Sequence, residues 1–185
     1  MSIDRHDAPA DPTVERLWSP WRFAYVTRSS DAGPCIFCEA AHANPSGESL
    51  VVFEGDRCYV ILNLYPYNNG HVMVVPHRHL GTLAEASREE LHELIDLTRR
   101  AEVALTEVYR PHGLNVGINL GRPAGAGVLD HIHVHIVPRW DGDTNFMSVV
   151  GNVRVVPEDL AETAGRLRPV FARLAEGADG PEASR

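Results

Sequence analysis

The stretch from Asp130 to Trp140 decides the fold, and it reads Asp-His-Ile-His-Val-His-Ile-Val-Pro-Arg-Trp. Histidines alternate there with branched apolar residues, a pattern that predicts a half-buried β-strand. Alternate side chains of a strand share one face, so the histidines should form a row while the aliphatic residues enter a core. The row consists of His131, His133 and His135, and the core residues are Ile132, Val134 and Ile136.

The spacing of this row indicates its ligand. At a rise of about 3.3 Å per residue, neighbouring histidines begin about 7 Å apart and the outer two about 13 Å apart. One zinc ion holds nitrogen at about 2 Å, so it could take an adjacent pair but not the whole row. A linear polyanion fits better, because imidazole can act on phosphate as nucleophile, proton donor or hydrogen-bond donor.

Composition limits the class of protein. The 185 residues are 44% hydrophobic and 23% charged, enough for one domain with a core. A net charge of -8 argues against nucleic acid as the main partner, although local His and Arg could still bind phosphate. No stretch is long enough to span a bilayer, the start lacks a secretory signal, and three cysteines fit a reducing compartment. We therefore expect a cytoplasmic protein with no membrane partner.

Both ends of the chain are poor in residues that can be buried. Residues 1–15 and 176–185 are rich in Pro, Ala, Gly and acids and are predicted to be disordered tails around a domain at 16–175. Residues 17–25 concentrate large apolar rings. We interpret them as a core or dimer anchor, with direct ligand contact as the alternative.

The remaining patterns predict an α+β fold. Ser87 and Glu90 have the spacing of a capping box, and apolar residues follow at helical spacing until Pro111 and Gly113. A last helix from about Glu158 to Leu174 should bend at Pro169. One long helix and a C-terminal helix would then accompany an antiparallel sheet. The predicted strands cover residues 50–54, 58–63, 71–76, 114–120 and 130–140.

The motifs together resemble the histidine triad (HIT) superfamily of nucleotide hydrolases and transferases. The resemblance rests on His131-Ile-His133-Val-His135-Ile-Val, on Asn63 and on Gly70-His71-Val-Met-Val-Val-Pro76, and it covers roughly residues 17–150. The stretches 18–22 (Trp-Ser-Pro-Trp-Arg) and 138–147 further resemble the bacterial branch described as diadenosine tetraphosphate phosphorylases. A HIT-like antiparallel sheet is the fold that the resemblance implies.

The resemblance also implies roles for the histidines. His133 would attack the α-phosphorus and carry a nucleotidyl group, since neutral imidazole is nucleophilic near pH 7. His135 would donate to the phosphate or leaving group, and His71 would be a further donor on the neighbouring strand. His131 completes the predicted catalytic set, and backbone groups near His133 would fix its tautomer.

Substrate contacts follow from the same resemblance. Asn63 stands where relatives hold the ribose hydroxyls and Asn119 where they contact phosphate, although either could instead cap a strand end. Arg122 and Arg139 are plausible phosphate partners, outside the predicted catalytic set.

The loop before the triad departs from the hydrolase members. They carry a Gln there, whereas this chain has a glycine-rich loop with Gly125, Ala126 and Gly127. Loss of the Gln argues against simple hydrolysis and leaves backbone N–H groups for inorganic phosphate. The loop lacks the Lys-Ser/Thr of a P-loop, so by itself it is weak support for phosphate binding.

The Cys35-x-x-Cys38 pair has the spacing of a zinc knuckle but needs two further ligands. Zinc-containing members of the superfamily imply His79 and His131, which predicts a structural zinc and no organic cofactor. A redox pair or two reduced thiols are the alternatives, and no thioredoxin-like pattern surrounds the cysteines. Cys58, among apolar neighbours, is predicted to lie in the core.

The sequence thus predicts a HIT-type nucleotidyltransferase that splits a dinucleoside polyphosphate with inorganic phosphate as acceptor. Relatives are usually homodimers, so a homodimer is expected. One alternative is a hydrolase of dinucleoside polyphosphates or nucleoside phosphoramidates. Another is a non-catalytic nucleotide-binding sensor, which would have no need of a complete histidine row.

Overall fold

The computed structural model describes residues 34–42, 49–143 and 158–178. Within these ranges the chain forms three α-helices, five strands and two short 3-10 turns. The helices are α1 (Ile36–His42), α2 (Arg88–Tyr109) and α3 (Leu160–Ala178). The strands are β1 (Val51–Glu54), β2 (Cys58–Leu62), β3 (Val72–Pro76), β4 (Gly113–Ile118) and β5 (Val134–Arg139), and the 3-10 turns are Leu83–Glu85 and Arg122–Ala124.

The five strands form one antiparallel sheet in the order β1-β2-β3-β5-β4. The histidine strand β5 therefore lies between β3 and β4. Its register places His135 opposite Met73 on one side and opposite Gly117 on the other. The predicted α+β fold with an antiparallel sheet, a long helix and a C-terminal helix is confirmed.

Alternating residues of the strands supply two cores, one on each face of the sheet. Helices α2 and α3 cover one face, where Val60, Val74 and Ile136 are fully buried. The short helix α1 covers part of the other face through Phe37. The buried residues of that second core are Phe37, Tyr59, Ile61, Met73 and Val75.

Helix α2 begins as its sequence predicts. The Ser87 hydroxyl accepts the Glu90 N–H at 3.2 Å, and the Glu90 carboxylate accepts the Ser87 N–H at 2.7 Å, which completes the capping box. The helix ends at Tyr109, and Arg110 caps it with a left-handed φ of 47°. Cys58 lies fully buried under α2, as predicted, with its Sγ 3.7 Å from the Glu90 carbonyl.

The histidine strand is shorter than predicted: β5 begins at Val134, so His131 and His133 lie in the segment that precedes it. Continued pairing would place Pro76 opposite Ile132, and proline has no N–H for a ladder. The Ile132 N–H instead donates to the Leu80 carbonyl at 2.8 Å. The prediction of one half-buried strand over residues 130–140 was therefore wrong, because His131 and His133 precede β5 and are both buried. The aliphatic residues Ile132, Val134 and Ile136 are buried in the core, as predicted.

Several predictions concern residues that the structure does not describe. They are the N-terminal tail, the aromatic segment 17–25 and the residues 145–147 that follow the triad. Helix α3 contains Pro169, as predicted. It extends to Ala178, so the first residues of the predicted disordered C-terminal tail, 176–178, are helical. No helix in the described ranges combines the length and the apolar character that a bilayer span requires.

Candidate active site and metal centre

Three histidines come together at the start of β3 and β5. The rings of His133 and His135 lie 4.7 Å apart between centroids at an interplanar angle of 75°. His71, which directly precedes β3, places its Nε2 3.1 Å from Nδ1 of His135. His135 therefore contacts both His133 and His71, which brings the predicted nucleophile together with both predicted donors.

His133 is held in one tautomer by the main chain. Its Nδ1 lies 2.9 Å from the carbonyl oxygen of His131, and because a carbonyl only accepts, Nδ1 must carry the proton. The Nε2 lone pair is then left as the nucleophilic electron pair. Burial lowers the pKa of His133 below its ordinary value, which favours the neutral ring.

A second chain of hydrogen bonds fixes His71 and His135. The Tyr67 N–H donates to Nδ1 of His71 at 3.1 Å, so the proton of neutral His71 lies on Nε2. That Nε2–H points at Nδ1 of His135, which leaves the proton of neutral His135 on its Nε2. The Tyr67 ring also stacks on His71, with centroids 5.0 Å apart. Tyr67 was missed by the sequence reasoning, because a main-chain donor carries no residue signature.

The two predicted asparagines lie at the edge of this cluster. The side-chain oxygen of Asn63 accepts the Tyr65 N–H at 2.9 Å, while its Nδ2 lies 3.5 Å from Nε2 of His71. Asn63 therefore caps a turn and also borders the histidines. Asn119 directly follows β4, whose register pairs Ile118 with Val134 and so brings Asn119 level with His133. Both side chains are partly exposed.

The glycine-rich loop uses two of its predicted donors internally. The Gly125 N–H donates to the Arg122 carbonyl at 2.9 Å, and the Ala126 N–H donates to the Gly121 carbonyl at 3.3 Å. Gly121 and Gly125 both have positive φ values, 79° and 86°, which explains the glycines there. Ala126 is buried and Gly127 is partly exposed. An anion at this loop would have to displace internal hydrogen bonds or use Gly127.

Arg139 is engaged by protein groups at the end of β5. It forms an ion pair with Asp143, at 2.6 and 2.8 Å, and donates to Asn115 at 2.8 Å. Asp143 also accepts from Asn68 Nδ2 at 2.8 Å, and the Arg139 guanidinium holds the pKa of Asp143 well below its usual range. Arg139 therefore ties the loop before His71 to the end of β5, and the interpretation of it as a phosphate partner loses support.

The four predicted metal ligands are brought together beside the histidine cluster. Their ligand atoms all lie within 4.8 Å of one another. The Cys35 Sγ is 3.3 Å from Nδ1 of His131, and the Cys38 Sγ is 3.3 Å from Nδ1 of His79. A tetrahedral zinc with bonds of about 2.3 Å to sulfur and about 2.0 Å to nitrogen puts unlike ligands about 3.5 Å apart. The donor set and its spacing therefore fit zinc.

Neighbouring groups orient the ligands for such an ion. Nε2 of His131 donates to the Pro76 carbonyl at 2.8 Å, which turns the Nδ1 lone pair towards the thiols. Burial lowers the pKa of His131, so the ring is held neutral, as a metal ligand must be. His79 lies at the surface, with its ring centroid 5.0 Å from that of His131.

Comparison with known proteins defines the class. Residues 44–142 match the HIT domain, and the chain belongs to this family. It is 42% identical over 168 residues, or 86% of each protein, to a Mycobacterium tuberculosis protein described as AP-4-A phosphorylase.

Two solved structures show the same fold with 28% sequence identity. One is a zinc-bound histidine triad family protein from Mycobacterium smegmatis, with a TM-score of 0.62, 78% of this chain covered and 97% of that one. The other is a hypothetical histidine triad nucleotide-binding protein from Sulfolobus tokodaii, with a TM-score of 0.64, 81% of this chain covered and 100% of that one.

Proposed function

We propose that the chain is a nucleotidyltransferase that cleaves dinucleoside polyphosphates and converts diadenosine tetraphosphate and phosphate into ADP and ATP. The observation that carries the proposal is the hydrogen bond from Nδ1 of His133 to the His131 carbonyl, which leaves Nε2 as a nucleophile beside His135. The similarity to a protein described as AP-4-A phosphorylase supports the substrate class.

The first step forms a covalent intermediate. The Nε2 lone pair of His133 attacks the α-phosphorus, and a nitrogen–phosphorus bond forms as the bond to the bridging oxygen breaks. ATP departs with the electron pair of that bond. The Nε2–H of His135 can stabilise the leaving oxygen, because His71 accepts from Tyr67 and fixes the tautomer of His135 through their shared hydrogen bond.

In the second step an oxygen of inorganic phosphate attacks the nucleotidyl group. The new phosphorus–oxygen bond yields ADP as the bond to His133 breaks and restores the neutral ring. Asn63 would bind the ribose hydroxyls and Asn119 a phosphate, since both border the histidines. The loop formed by Gly125, Ala126 and Gly127 would receive the acceptor.

Hydrolysis is the second candidate, and one observation favours it. The N–H groups of Gly125 and Ala126 are already bonded to carbonyls of their own loop, so two of the donors proposed for phosphate are engaged. With water as acceptor the same intermediate would give AMP instead of ADP. The tautomers of the three histidines serve either acceptor equally well.

We further propose that Cys35, Cys38, His79 and His131 hold a structural zinc. Four protein ligands leave no open position for water or substrate, so the ion would supply rigidity and no step of the chemistry. The N₂S₂ donor set and the 3.3 Å sulfur–nitrogen separations support this assignment.

Incubation with diadenosine tetraphosphate, with and without added phosphate, tests the proposal through chromatography of the products. ADP and ATP that form only with phosphate would support phosphorolysis. AMP and ATP formed equally fast without phosphate would establish the hydrolase instead. Binding of the nucleotide with no product would leave a nucleotide sensor, and His133→Ala serves as the catalytically impaired control.

A further inference from the structure

An aromatic side chain from the metal centre lies against the nucleophile. Phe37 stands between the two cysteines of Cys35-Ile-Phe-Cys38, and its side chain is buried. Its ring centroid is 4.8 Å from that of His133 at an angle of 50°. It is also 5.5 Å from His131 in an edge-on arrangement. One ring therefore touches both a metal ligand and the proposed nucleophile.

The main chain of Phe37 is held by a hydrogen bond from the sheet. The fully buried Tyr59 hydroxyl donates to the Phe37 carbonyl at 2.7 Å. Helix α1 has only seven residues, and a helix of that length is not stable by itself in water. Its position must therefore come from tertiary contacts, which are the second core, the Tyr59 hydrogen bond and the two thiols that face His79 and His131.

His131 provides a second connection between the two sites. Its Nδ1 faces the thiols, while its carbonyl accepts the proton of Nδ1 of His133. A shift of the His131 main chain away from the thiols would also move the carbonyl that selects the tautomer of His133. The proposed metal centre is thus connected to His133 in two ways, through the Phe37 side chain and through the His131 carbonyl.

We infer that the Cys/His metal centre positions the nucleophile, with Phe37 as a positioning residue that packs against the His133 ring and limits its orientations. Filling the centre would hold α1 and His131 in place, and so keep His133 buried at 4% exposure in one orientation. Emptying the centre, or shortening the Phe37 side chain, would free the ring. Misplacing a reacting group by about 1 Å can lower a rate by about 100-fold, so kcat should fall with little change in KM.

The test compares Phe37→Leu with Phe53→Leu as a matched control. Phe53 packs on Phe171 in the core on the opposite face, with ring centroids 5.7 Å apart. For each full-length variant, zinc content and Tm are measured, together with the rate at which diethyl pyrocarbonate modifies His133. Exposed His92 and His112 in the same digest provide internal references.

Phe37→Leu should keep its zinc, because all four ligands remain, yet its His133 should be modified several-fold faster than in the wild type while His92 and His112 are unchanged. Phe53→Leu should lower Tm without changing the reactivity of His133. A zinc-loaded Phe37→Leu variant whose His133 reacts at the wild-type rate would overturn the inference.

Chelation of the wild-type protein provides a second measurement that does not depend on the variants folding. Removal of zinc should raise the modification rate of His133, and returning zinc should restore it, with circular dichroism checking that the chain stays folded. An unchanged rate, or protein that binds no zinc, would overturn the inference. The role of His133 as nucleophile rests on the proposed function, but its modification rate requires no substrate. Failure to cleave diadenosine tetraphosphate would therefore contradict the proposed function but not the positioning of His133 by the metal centre.

Discussion

Replacing Glu90 with Gln should destabilise the domain by removing a charge from a nearly buried cluster. The Glu90 carboxylate accepts from Arg78 at 2.8 and 2.7 Å and from the Ser87 N–H at 2.7 Å. Its side chain is only 9% exposed. Arg78 lies between His77 and His79, so the same contact ties the segment that carries the proposed metal ligand His79 to the start of α2.

The magnitude follows from the pKa of Glu90. Hydrogen bonds from Arg78, and then from Ser87, lower the pKa of Glu90 from 4.5 to about 2. At 1.36 kcal/mol per pH unit this difference gives an upper bound of about 3.4 kcal/mol. The Arg78 side chain is 54% exposed, so solvent screening should reduce the contribution to about 1–2 kcal/mol. Because the pKa is depressed in the folded state, this stability is present above about pH 4.5 and is lost as the pH falls towards 2.

Urea unfolding of the wild type, Glu90→Gln and the control Glu107→Gln measures this contribution. Glu107 forms an ion pair with Arg173 in which both side chains are at least half exposed. At pH 7, Glu90→Gln should lower the free energy of unfolding by about 1–2 kcal/mol and Glu107→Gln by about 0.5 kcal/mol or less. At about pH 3 the cost of Glu90→Gln should fall below half its value at pH 7. Equal costs for the two variants, or a cost of Glu90→Gln that does not change with pH, would refute the reasoning.

Three further predictions concern the site. His133→Ala should lower kcat by about 100-fold or more without unfolding the protein, and His135→Ala should lower it less. If steady-state kinetics show that His133→Ala keeps more than about a tenth of the wild-type rate, the assignment of His133 as the nucleophile is contradicted. In elemental analysis and calorimetry, Cys35→Ser should lose about one zinc per chain and have a lower Tm, whereas the control Cys58→Ala should keep its zinc. Absence of zinc from the wild-type protein would contradict the zinc proposal. Gly127→Gln should raise the fraction of AMP among the products, because the Gln amide can hydrogen-bond the attacking water. An unchanged ratio of AMP to ADP would show that this loop does not determine whether water or phosphate is the acceptor.

Alternation and capping were sufficient to predict the frame of the fold. The strands, their inward aliphatic residues and the start of α2 leave patterns that can be recognised within a few residues, although β3 and β5 pair across about 60 residues of chain. The beginning of β5 did not follow from periodicity. Pro76 cannot extend the ladder, and the Ile132 N–H bonds to Leu80, so a distant residue decided where the strand starts.

The candidate site was predictable to the extent that it repeats a family motif. Alternation predicted the histidine row and spacing the Cys35/Cys38 pair, whereas the resemblance supplied the roles of the histidines and the proposed ligands His79 and His131. Cys35 and His131 are 96 positions apart, so no local pattern joins them. The packing of Phe37 on His133 left no signal, because it depends on how α1 lies on the sheet. The engagement of the Ala126 N–H within its own loop was equally hidden, since main-chain hydrogen bonds are not written in side-chain identity.

Trapping the covalent intermediate tests the proposed chemistry most directly. Wild-type protein is mixed with diadenosine tetraphosphate in the absence of phosphate, quenched early and mapped by peptide mass spectrometry under conditions that preserve phosphoramidates. The adenylyl group should be found on the peptide that contains His133 and should disappear, with release of ADP, when phosphate is added. An adenylyl group on another residue, or continued turnover with none on the protein, would contradict nucleophilic catalysis by His133.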